Sequence, residues 1–211
     1  MSARPPESRG APMPGTSPVP RVKICGVRDE ATVACAAEAG ADFLGVVLVA
    51  SSPRFVPPDD ARQLAASIAD AGAMPVAVLR LPPAGETLDA ATAAALEAFP
   101  ILQFHGAEEP ADLARFRAWE CWKGLHFSRA ATESWIASGK VARLVVDGPD
   151  AGSGAAWDHA EFAALDAAAR GRCLLAGGLD PDNVAATRTA GRRTTRASAR
   201  SSTRCARPDV R

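Results

Sequence analysis

The chain of 211 residues contains no tyrosine, and only 5% of its residues are aromatic. It has no apolar run near the roughly 18 residues that a membrane-spanning helix needs, which excludes an integral membrane protein. Residues 1–20 carry six prolines and no apolar segment typical of a secretory signal. We therefore expect a cytoplasmic protein with a disordered leader over residues 1–20, followed by a globular part.

Two further absences limit the kinds of site that the chain can build. The five cysteines are widely spaced without a C-x-x-C pair, and the three histidines lack metal-ligand spacing. This pattern favours reduced thiols over disulfides or a structural zinc site. No G-x-G-x-x-G motif follows the first predicted strand, which argues against a dinucleotide-binding open sheet.

Short unbroken apolar runs alternate with helix-like segments between residues 21 and 182. Such runs are typical of parallel strands that are covered on both faces. Repeated strand–helix units predict an α/β fold, either an open sheet or a (β/α)8 barrel whose eighth unit is missing or not recognisable. The seven predicted strands are Val22–Cys25, Phe43–Leu48, Val76–Leu79, Ile101–Phe104, Trp122–His126, Leu144–Asp147 and Cys173–Ala176.

Apolar residues at helical spacing predict helices between these strands. Pro58 opens one of them, and Leu113 with Phe116 indicates another after the fourth strand. Gly40 and Gly72 lie where the carboxyl-terminal caps of helices belong.

Charge is distributed unevenly, although the 24 basic and 24 acidic residues cancel. Residues 187–211 hold eight arginines and one acid, which leaves 16 basic and 23 acidic residues in 1–186. We expect three regions: a leader over 1–20, a barrel domain over 21–186, and a disordered arginine-rich tail over 187–211. Eight guanidinium groups would attract phosphates, but the tail lacks aromatic residues and helical periodicity, so we expect no specific nucleic-acid partner.

Two groups that can transfer protons end predicted strands. Cys25 ends the first strand and Asp147 the sixth, and we expect the thiol to point into solvent-accessible space. The carboxyl ends of the strands carry the chemistry of barrel enzymes. The alternatives are that Cys25 is a packing residue and that Asp147 caps the following turn.

Other candidates follow strands in the same way. We expect four of them to bind substrate: Lys23, a charged residue inside a strand, Arg54, which could bind a carboxylate, and Gln103 with His105 at the end of the fourth strand. His105 could be orienting, catalytic or structural. Two glycine-rich segments, one containing Gly152 and Gly154 and the other Gly177 and Gly178, could bind a phosphate or form simple turns.

The order of these motifs is specific, although each is weak alone. It resembles that of the phosphoribosylanthranilate isomerases of tryptophan biosynthesis, over roughly residues 21–186. Along the chain come Lys-Ile-Cys-Gly, Leu-Gly-Val-Val with Ser-Pro-Arg, Leu-Gln-Phe-His-Gly, Val-Asp with Gly-Ser-Gly, and Ala-Gly-Gly-Leu with Pro-x-Asn-Val.

The resemblance implies an Amadori rearrangement of N-(5′-phosphoribosyl)anthranilate on a (β/α)8 barrel, without metal or organic cofactor. It implies that Asp147 is the general acid and that Cys25, as a thiolate, is the general base. A free cysteine has a pKa of about 8.5, so the thiolate needs support near neutral pH. The resemblance also implies that Arg54 binds the anthranilate carboxylate and that Gly177 and Gly178 belong to a phosphate site.

The segment from Thr187 to Arg196 departs from the family, since it contains neither an apolar run nor an apolar stripe. Its arginine, serine, threonine and alanine content is typical of an out-of-frame translation of a GC-rich gene. We therefore hypothesise a frameshift near residues 185–190.

Three other interpretations remain: a weakly active or inactive remnant, an indole-glycerol-phosphate synthase, or a ribulose-phosphate epimerase. The synthase needs lysines at the strand ends and the epimerase paired aspartates with metal-binding histidines. The sequence leaves the oligomeric state open.

Overall fold

The fold is a closed barrel of eight parallel strands, seen in a computed structural model that describes residues 21–83, 86–148, 160–177, 179 and 195–198. Each strand pairs with its neighbours in chain order, and the eighth pairs with the first. The (β/α)8 prediction is confirmed. The strands are β1 Val22–Cys25, β2 Phe43–Val47, β3 Met74–Leu79, β4 Ile101–Phe104, β5 Glu120–His126, β6 Arg143–Asp147, β7 Cys173–Leu175 and β8 Thr195–Ser198.

Helices lie between the strands, and several begin at a residue whose side chain caps the first turn. Asp29, Asp89 and Asp166 each accept a hydrogen bond from a backbone N–H three residues later, at 2.7, 2.8 and 2.7 Å. Gly40 and Gly72 have positive φ angles of 85° and 81°, as their predicted cap positions require. The helices are α1 Glu30–Glu38, α2 Pro58–Asp70, α3 Ala90–Ala95, α4 Arg129–Ser138, α5 Ala160–Ala163 and α6 Ala167–Gly171.

The helix predicted around Leu113 and Phe116 is a 3-10 turn, Asp112–Phe116. Both side chains are buried in the outer core, as the apolar spacing requires. Residues spaced by three also share a face in a 3-10 turn, so the spacing alone does not distinguish the two conformations.

Two apolar layers stabilise the barrel. The outer layer packs between strands and helices, and the inner layer fills the barrel itself. Trp122 is the largest inner side chain and meets Phe43 edge-on, with ring centroids 5.0 Å apart. The inner residues are Cys25, Phe43, Val47, Val76, Val78, Ile101, Trp122, Val145, Leu174 and Ala176.

The eighth strand corrects the expectation that no strand follows β7. Residues Thr195–Ser198, inside the arginine-rich segment, pair with β1 at four positions and with β7 at one, Leu175↔Thr195. Backbone N–H and C=O groups form this pairing, so an apolar run is not required. The absence of such a run made the strand unrecognisable in the sequence.

Cys35 on α1 is disulfide-bonded, so the expectation of reduced thiols throughout is wrong for this residue. The spacing of cysteines along a chain does not tell which of them the fold brings together. In the described residues, no helix is long and apolar enough to cross a membrane.

Candidate active site at the carboxyl ends of the strands

Cys25 lies at the carboxyl end of β1 and belongs to the inner core, with only 1% of its surface exposed. The N–H groups of Gly26 and Val27 both donate to the carbonyl of Gly45, at 2.7 and 3.1 Å. This pair of hydrogen bonds turns the chain across the end of the strand. The expectation that the thiol points into solvent-accessible space is therefore wrong.

Lys23 is fully buried two residues before Cys25 on the same strand. Its ammonium group and the Cys25 thiol converge on Gly45 of the neighbouring strand. A methyl group built on Gly45 would lie 2.9 Å from Lys23 Nζ and 3.0 Å from Cys25 Sγ. A glycine on β2 thus leaves room for both groups.

Arg54 stretches over the turn that follows Cys25. One guanidinium nitrogen, Nη1, donates to the Cys25 carbonyl at 3.4 Å. Gly26 has a φ of +89°, and a methyl group there would lie 2.5 Å from Arg54 Cδ. Glycine is required at this position both for the backbone conformation and for the passage of the arginine.

Asp147 ends β6, and its side chain is 8% exposed. It follows the inner-core residue Val145 by two positions, so its carboxylate faces the same interior as Cys25. Gly177, just after β7, comes close to this group. A methyl group on Gly177 would lie 3.1 Å from the Gly148 nitrogen and 3.7 Å from Asp147 Oδ1.

His105 follows β4 and reaches across β5 towards β6. Its Nε2 lies 3.8 Å from Asp147 Oδ2, and its Nδ1 lies 3.3 Å from the Gln103 amide nitrogen. A methyl group on Gly124 of β5 would lie 2.0 Å from His105 Nδ1. The imidazole therefore occupies the space that any side chain at position 124 would fill.

A buried ion pair holds the loops after β3 and β4. Glu108 accepts hydrogen bonds from the N–H groups of Leu81 and Gly106, at 2.9 and 2.8 Å, and from Lys123 Nζ at 2.8 Å. Lys123 Nζ also donates to the Gly106 carbonyl at 2.6 Å. Burial opposes ionisation, but the hydrogen bonds from Lys123 and Leu81 outweigh it and lower the pKa of Glu108 below its usual value.

His126, at the end of β5, stabilises the residue after Asp147. Its Nδ1 lies 3.0 Å from the Gly148 carbonyl oxygen. A carbonyl can only accept, so Nδ1 carries a proton and donates it there. The chain next to the Asp147 carboxylate is thereby anchored to the neighbouring strand.

The two other described cysteines with free thiols differ from Cys25 in their surroundings. Both belong to the outer core. Burial raises the pKa of Cys121 to about 11 and that of Cys173 to about 12, so both remain neutral thiols.

Most of the predicted site residues lie together at one end of the barrel. Gly152, Gly154 and Gly178 lie outside the described residues. Sequence reasoning missed Gly45 and Gly124, although a glycine inside a strand can mark a close approach by another group. Within the described ranges, no three His, Cys, Asp or Glu side chains cluster so that they could hold a metal ion. Two groups of contacts form there: Lys23, Cys25 and Arg54 around β1, and Gln103, His105, Asp147 and Gly177 around β4 to β7.

Comparison with known proteins agrees with this arrangement. The family model described as N-(5′phosphoribosyl)anthranilate (PRA) isomerase matches residues 22–195. The N-(5′-phosphoribosyl)anthranilate isomerase of Citrifermentans bemidjiense is 32% identical over 78% of this chain and 79% of its own. That of Bordetella avium is 36% identical over 78% of each chain.

A solved structure gives the same result at the level of the fold. The phosphoribosyl anthranilate isomerase from Thermus thermophilus superposes with a TM-score of 0.67 at 30% identity, over 84% of this chain and 86% of that one. The matched residues include both strand ends that carry Cys25 and Asp147. The chain therefore belongs to the N-(5′-phosphoribosyl)anthranilate isomerase family.

Proposed function

We propose that this chain converts N-(5′-phosphoribosyl)anthranilate into 1-(2-carboxyphenylamino)-1-deoxyribulose 5-phosphate, a step of tryptophan biosynthesis, in the cytoplasm. The observation that carries the proposal is the placement of one thiol and one carboxyl group at the ends of β1 and β6, facing one barrel interior. An acid and a base on opposite sides of one pocket suit an internal proton-transfer reaction. The reaction needs no cofactor, because no electron leaves the substrate.

Asp147 is the general acid in this proposal. Its proton moves to the ring oxygen of the ribose, and the bond between that oxygen and C1′ breaks. The nitrogen lone pair then forms a C1′=N double bond, which gives an iminium ion. Gly148, held by the hydrogen bond to His126, keeps the carboxyl group oriented towards the interior.

Cys25 is the general base. The iminium ion acidifies the neighbouring C2′–H bond, so a thiolate suffices to remove this proton. The electron pair of the C–H bond forms a C1′=C2′ double bond and neutralises the iminium nitrogen. The resulting enol becomes the ketone when C1′ gains a proton and the C2′ hydroxyl loses one. The buried ammonium of Lys23, which faces Gly45 together with the thiol, supports the thiolate and is also a predicted substrate-binding group.

The remaining groups bind the two ends of the substrate. Arg54, beside Cys25, binds the anthranilate carboxylate through its planar guanidinium. Gly177 contributes to the phosphate site, and Gly152, Gly154 and Gly178 are assigned to the same site. Gln103 and His105, which contact each other at 3.3 Å, complete the predicted substrate-binding set.

The test replaces each proposed proton-transfer group in the full-length chain. Asp147→Asn keeps the shape and removes the acid, and Cys25→Ser replaces the thiol with a much weaker acid. We expect each kcat to fall by about 10²- to 10⁴-fold, which is the usual contribution of a general acid or base. Conversion of purified N-(5′-phosphoribosyl)anthranilate, followed chromatographically, gives the rates.

Cys121→Ser is the matched control, because it makes the same chemical change on a strand but outside the inner core. It should keep turnover within about twofold of the unchanged protein. Full turnover by both Cys25→Ser and Asp147→Asn would disprove the assigned mechanism. If the unchanged chain gives no rate above the uncatalysed reaction, the chain is an inactive member of the family.

A further inference from the structure

The proposed reaction leaves its two protons on the wrong groups. Each turnover takes one proton from Asp147 to the ring oxygen and brings one from C2′ to Cys25. Before the next turnover the thiol must lose its proton and the carboxylate must regain one. The enzyme therefore needs a route by which a proton from solvent reaches a carboxylate that is only 8% exposed.

His105 lies on such a route. Its side chain is 28% exposed, and its Nε2 lies 3.8 Å from Asp147 Oδ2. The imidazole thus connects solvent with the nearly buried carboxylate. Histidine is suited to this task because its unperturbed pKa of about 6.5 lets it gain and lose a proton near neutral pH.

The surroundings of the imidazole fix its direction. Gln103 is fully buried and contacts Nδ1 at 3.3 Å, which turns Nε2 towards Asp147. Gln103 Oε1 is buried and has no hydrogen-bond partner within the described residues. A half turn of the amide would let this oxygen accept from a protonated Nδ1, so the same residue can serve both the neutral and the charged ring.

Gly124 provides the space through which the ring crosses β5. The 2.0 Å separation between His105 Nδ1 and a methyl group at position 124 means that no other residue fits without moving the ring. An ordinary strand residue at this position would have pushed the imidazole away from β6. The glycine is therefore specific to the His105–Asp147 arrangement.

Other charged groups near this part of the barrel are engaged elsewhere. Arg80 Nε, after β3, donates to the His105 carbonyl at 3.1 Å. Glu108 is held by Lys123, by Leu81 and by Gly106. Lys23 and Arg54 lie at the Cys25 end of the pocket. The imidazole and the Asp147 carboxylate face each other across 3.8 Å.

We propose that His105 returns a proton from solvent to Asp147 between turnovers, positioned for this by Gln103 and by the space above Gly124. The inference rests on the proposed function. In the step, the Nε2–H bond of the imidazolium breaks and leaves its electron pair on nitrogen. An O–H bond forms on Asp147, directly or through one bridging water, and the ring regains a proton from solvent. The thiol of Cys25, itself 1% exposed, loses the C2′ proton in the same interval by a separate route, so charge and protons balance over the cycle.

The test separates the first turnover from later ones. His105→Ala removes the relay but leaves Asp147 in place for the first reaction. Mixed with excess substrate, this variant should give a burst of about one product per active site, followed by a steady rate reduced about 10- to 100-fold. Imidazole added to the buffer should restore the steady rate in proportion to its concentration and leave the burst unchanged. A burst equal to one site and rescue by imidazole support the relay.

Two further variants keep the test decisive. Gly124→Ala should also give the burst and slow steady rate, and adding it to His105→Ala should cost little more, because both changes act on the same ring. Asp147→Asn should give neither burst nor rescue. The relay is overturned if His105→Ala keeps full steady turnover, slows the first turnover as much as later ones, or ignores imidazole. Full turnover by Asp147→Asn would instead overturn the proposed function.

Discussion

The first seven strands and the eighth strand hold the barrel together in different ways. Strands β2 to β7 pair through three to five register positions with each preceding strand, and their residues fill the two apolar layers. Strand β8 is Thr-Arg-Ala-Ser, and it meets β7 at one position only. Burial of apolar side chains therefore defines the wall from β1 to β7, and β8 closes it through backbone pairing with β1 and β7.

This difference affects how firmly each part of the active site is held by the neighbouring strands. Asp147, His105 and Gln103 lie on the well-packed side formed by β4 to β6. Cys25 lies on β1, whose other neighbour is β8 at four register positions, including Cys25↔Ser198. The acid half of the site thus lies among strands whose side chains fill the two apolar layers, whereas the base half has β8 as one neighbour. We expect substitutions in the two regions to differ accordingly.

The largest effect should come from the inner core. Trp122→Ala removes the largest buried inner side chain and its contact with Phe43. We expect the free energy of unfolding to fall by about 3–5 kcal/mol, as a cavity and lost burial require. Urea denaturation measures it. Met74→Ala, at an exposed position of β3, is the control and should change stability by less than about 0.5 kcal/mol. Similar losses of unfolding free energy for both variants would show that the inner side chains do not stabilise the barrel.

The next effect concerns the ion pair that holds the loops of the acid half. Glu108→Gln leaves the Lys123 ammonium buried without its counter-charge. We expect the free energy of unfolding to fall by about 3 kcal/mol, because removing one partner leaves the other charge buried without compensation. Glu133→Gln breaks the exposed pair with Arg129 and should cost only about 0.3–0.5 kcal/mol. A loss for Glu108→Gln no larger than this control would mean that the buried pair contributes little.

The same pair predicts a pH dependence. Folding lowers the pKa of Glu108 below 4.5, so its contribution to stability is present above the unfolded value. That contribution declines as the pH falls through the lower folded value. The difference in unfolding free energy between the unchanged protein and Glu108→Gln should therefore be constant from about pH 6 to 8 and shrink below about pH 4.5. Denaturation series at these pH values measure this difference. A difference that grows as the pH falls would contradict a lowered pKa of Glu108.

The smallest effect should come from strengthening β8. Ala197 is the register partner of Ile24, and valine is a better strand residue than alanine. We expect Ala197→Val to raise the unfolding free energy by up to about 1 kcal/mol. Thermal melting measures the gain, with Ala93→Val on the exposed side of α3 as the control that should not stabilise. A loss at position 197 would show that backbone pairing by β8 does not limit closure.

The frameshift near residues 185–190 stays a hypothesis. Sequencing the gene around residues 185–190 tests it directly. An unchanged reading frame there would exclude a sequencing error.

The sequence determined the strand positions because parallel strands buried on both faces leave unbroken apolar runs. All seven predicted strands appear within about two residues of their expected bounds. It also indicated Cys25 and Asp147, since polar or reactive residues at strand ends meet at one end of a barrel. The sequence did not predict the 3-10 turn at Asp112–Phe116, because local spacing does not separate 3-10 from α geometry. It did not predict the eighth strand, because a backbone-paired strand needs no apolar pattern.

Only the tertiary structure decided which of these residues meet. His105, Gly124 and Asp147 come from three successive strands. The curvature of the barrel lets the His105 imidazole pass over Gly124 on β5 and reach Asp147 on β6. The same holds for Lys23 and Cys25 above Gly45, and for Glu108 with Lys123. Apolar periodicity is a local property and is readable along the chain, whereas distances between polar atoms arise only when the closed sheet fixes strand order and register.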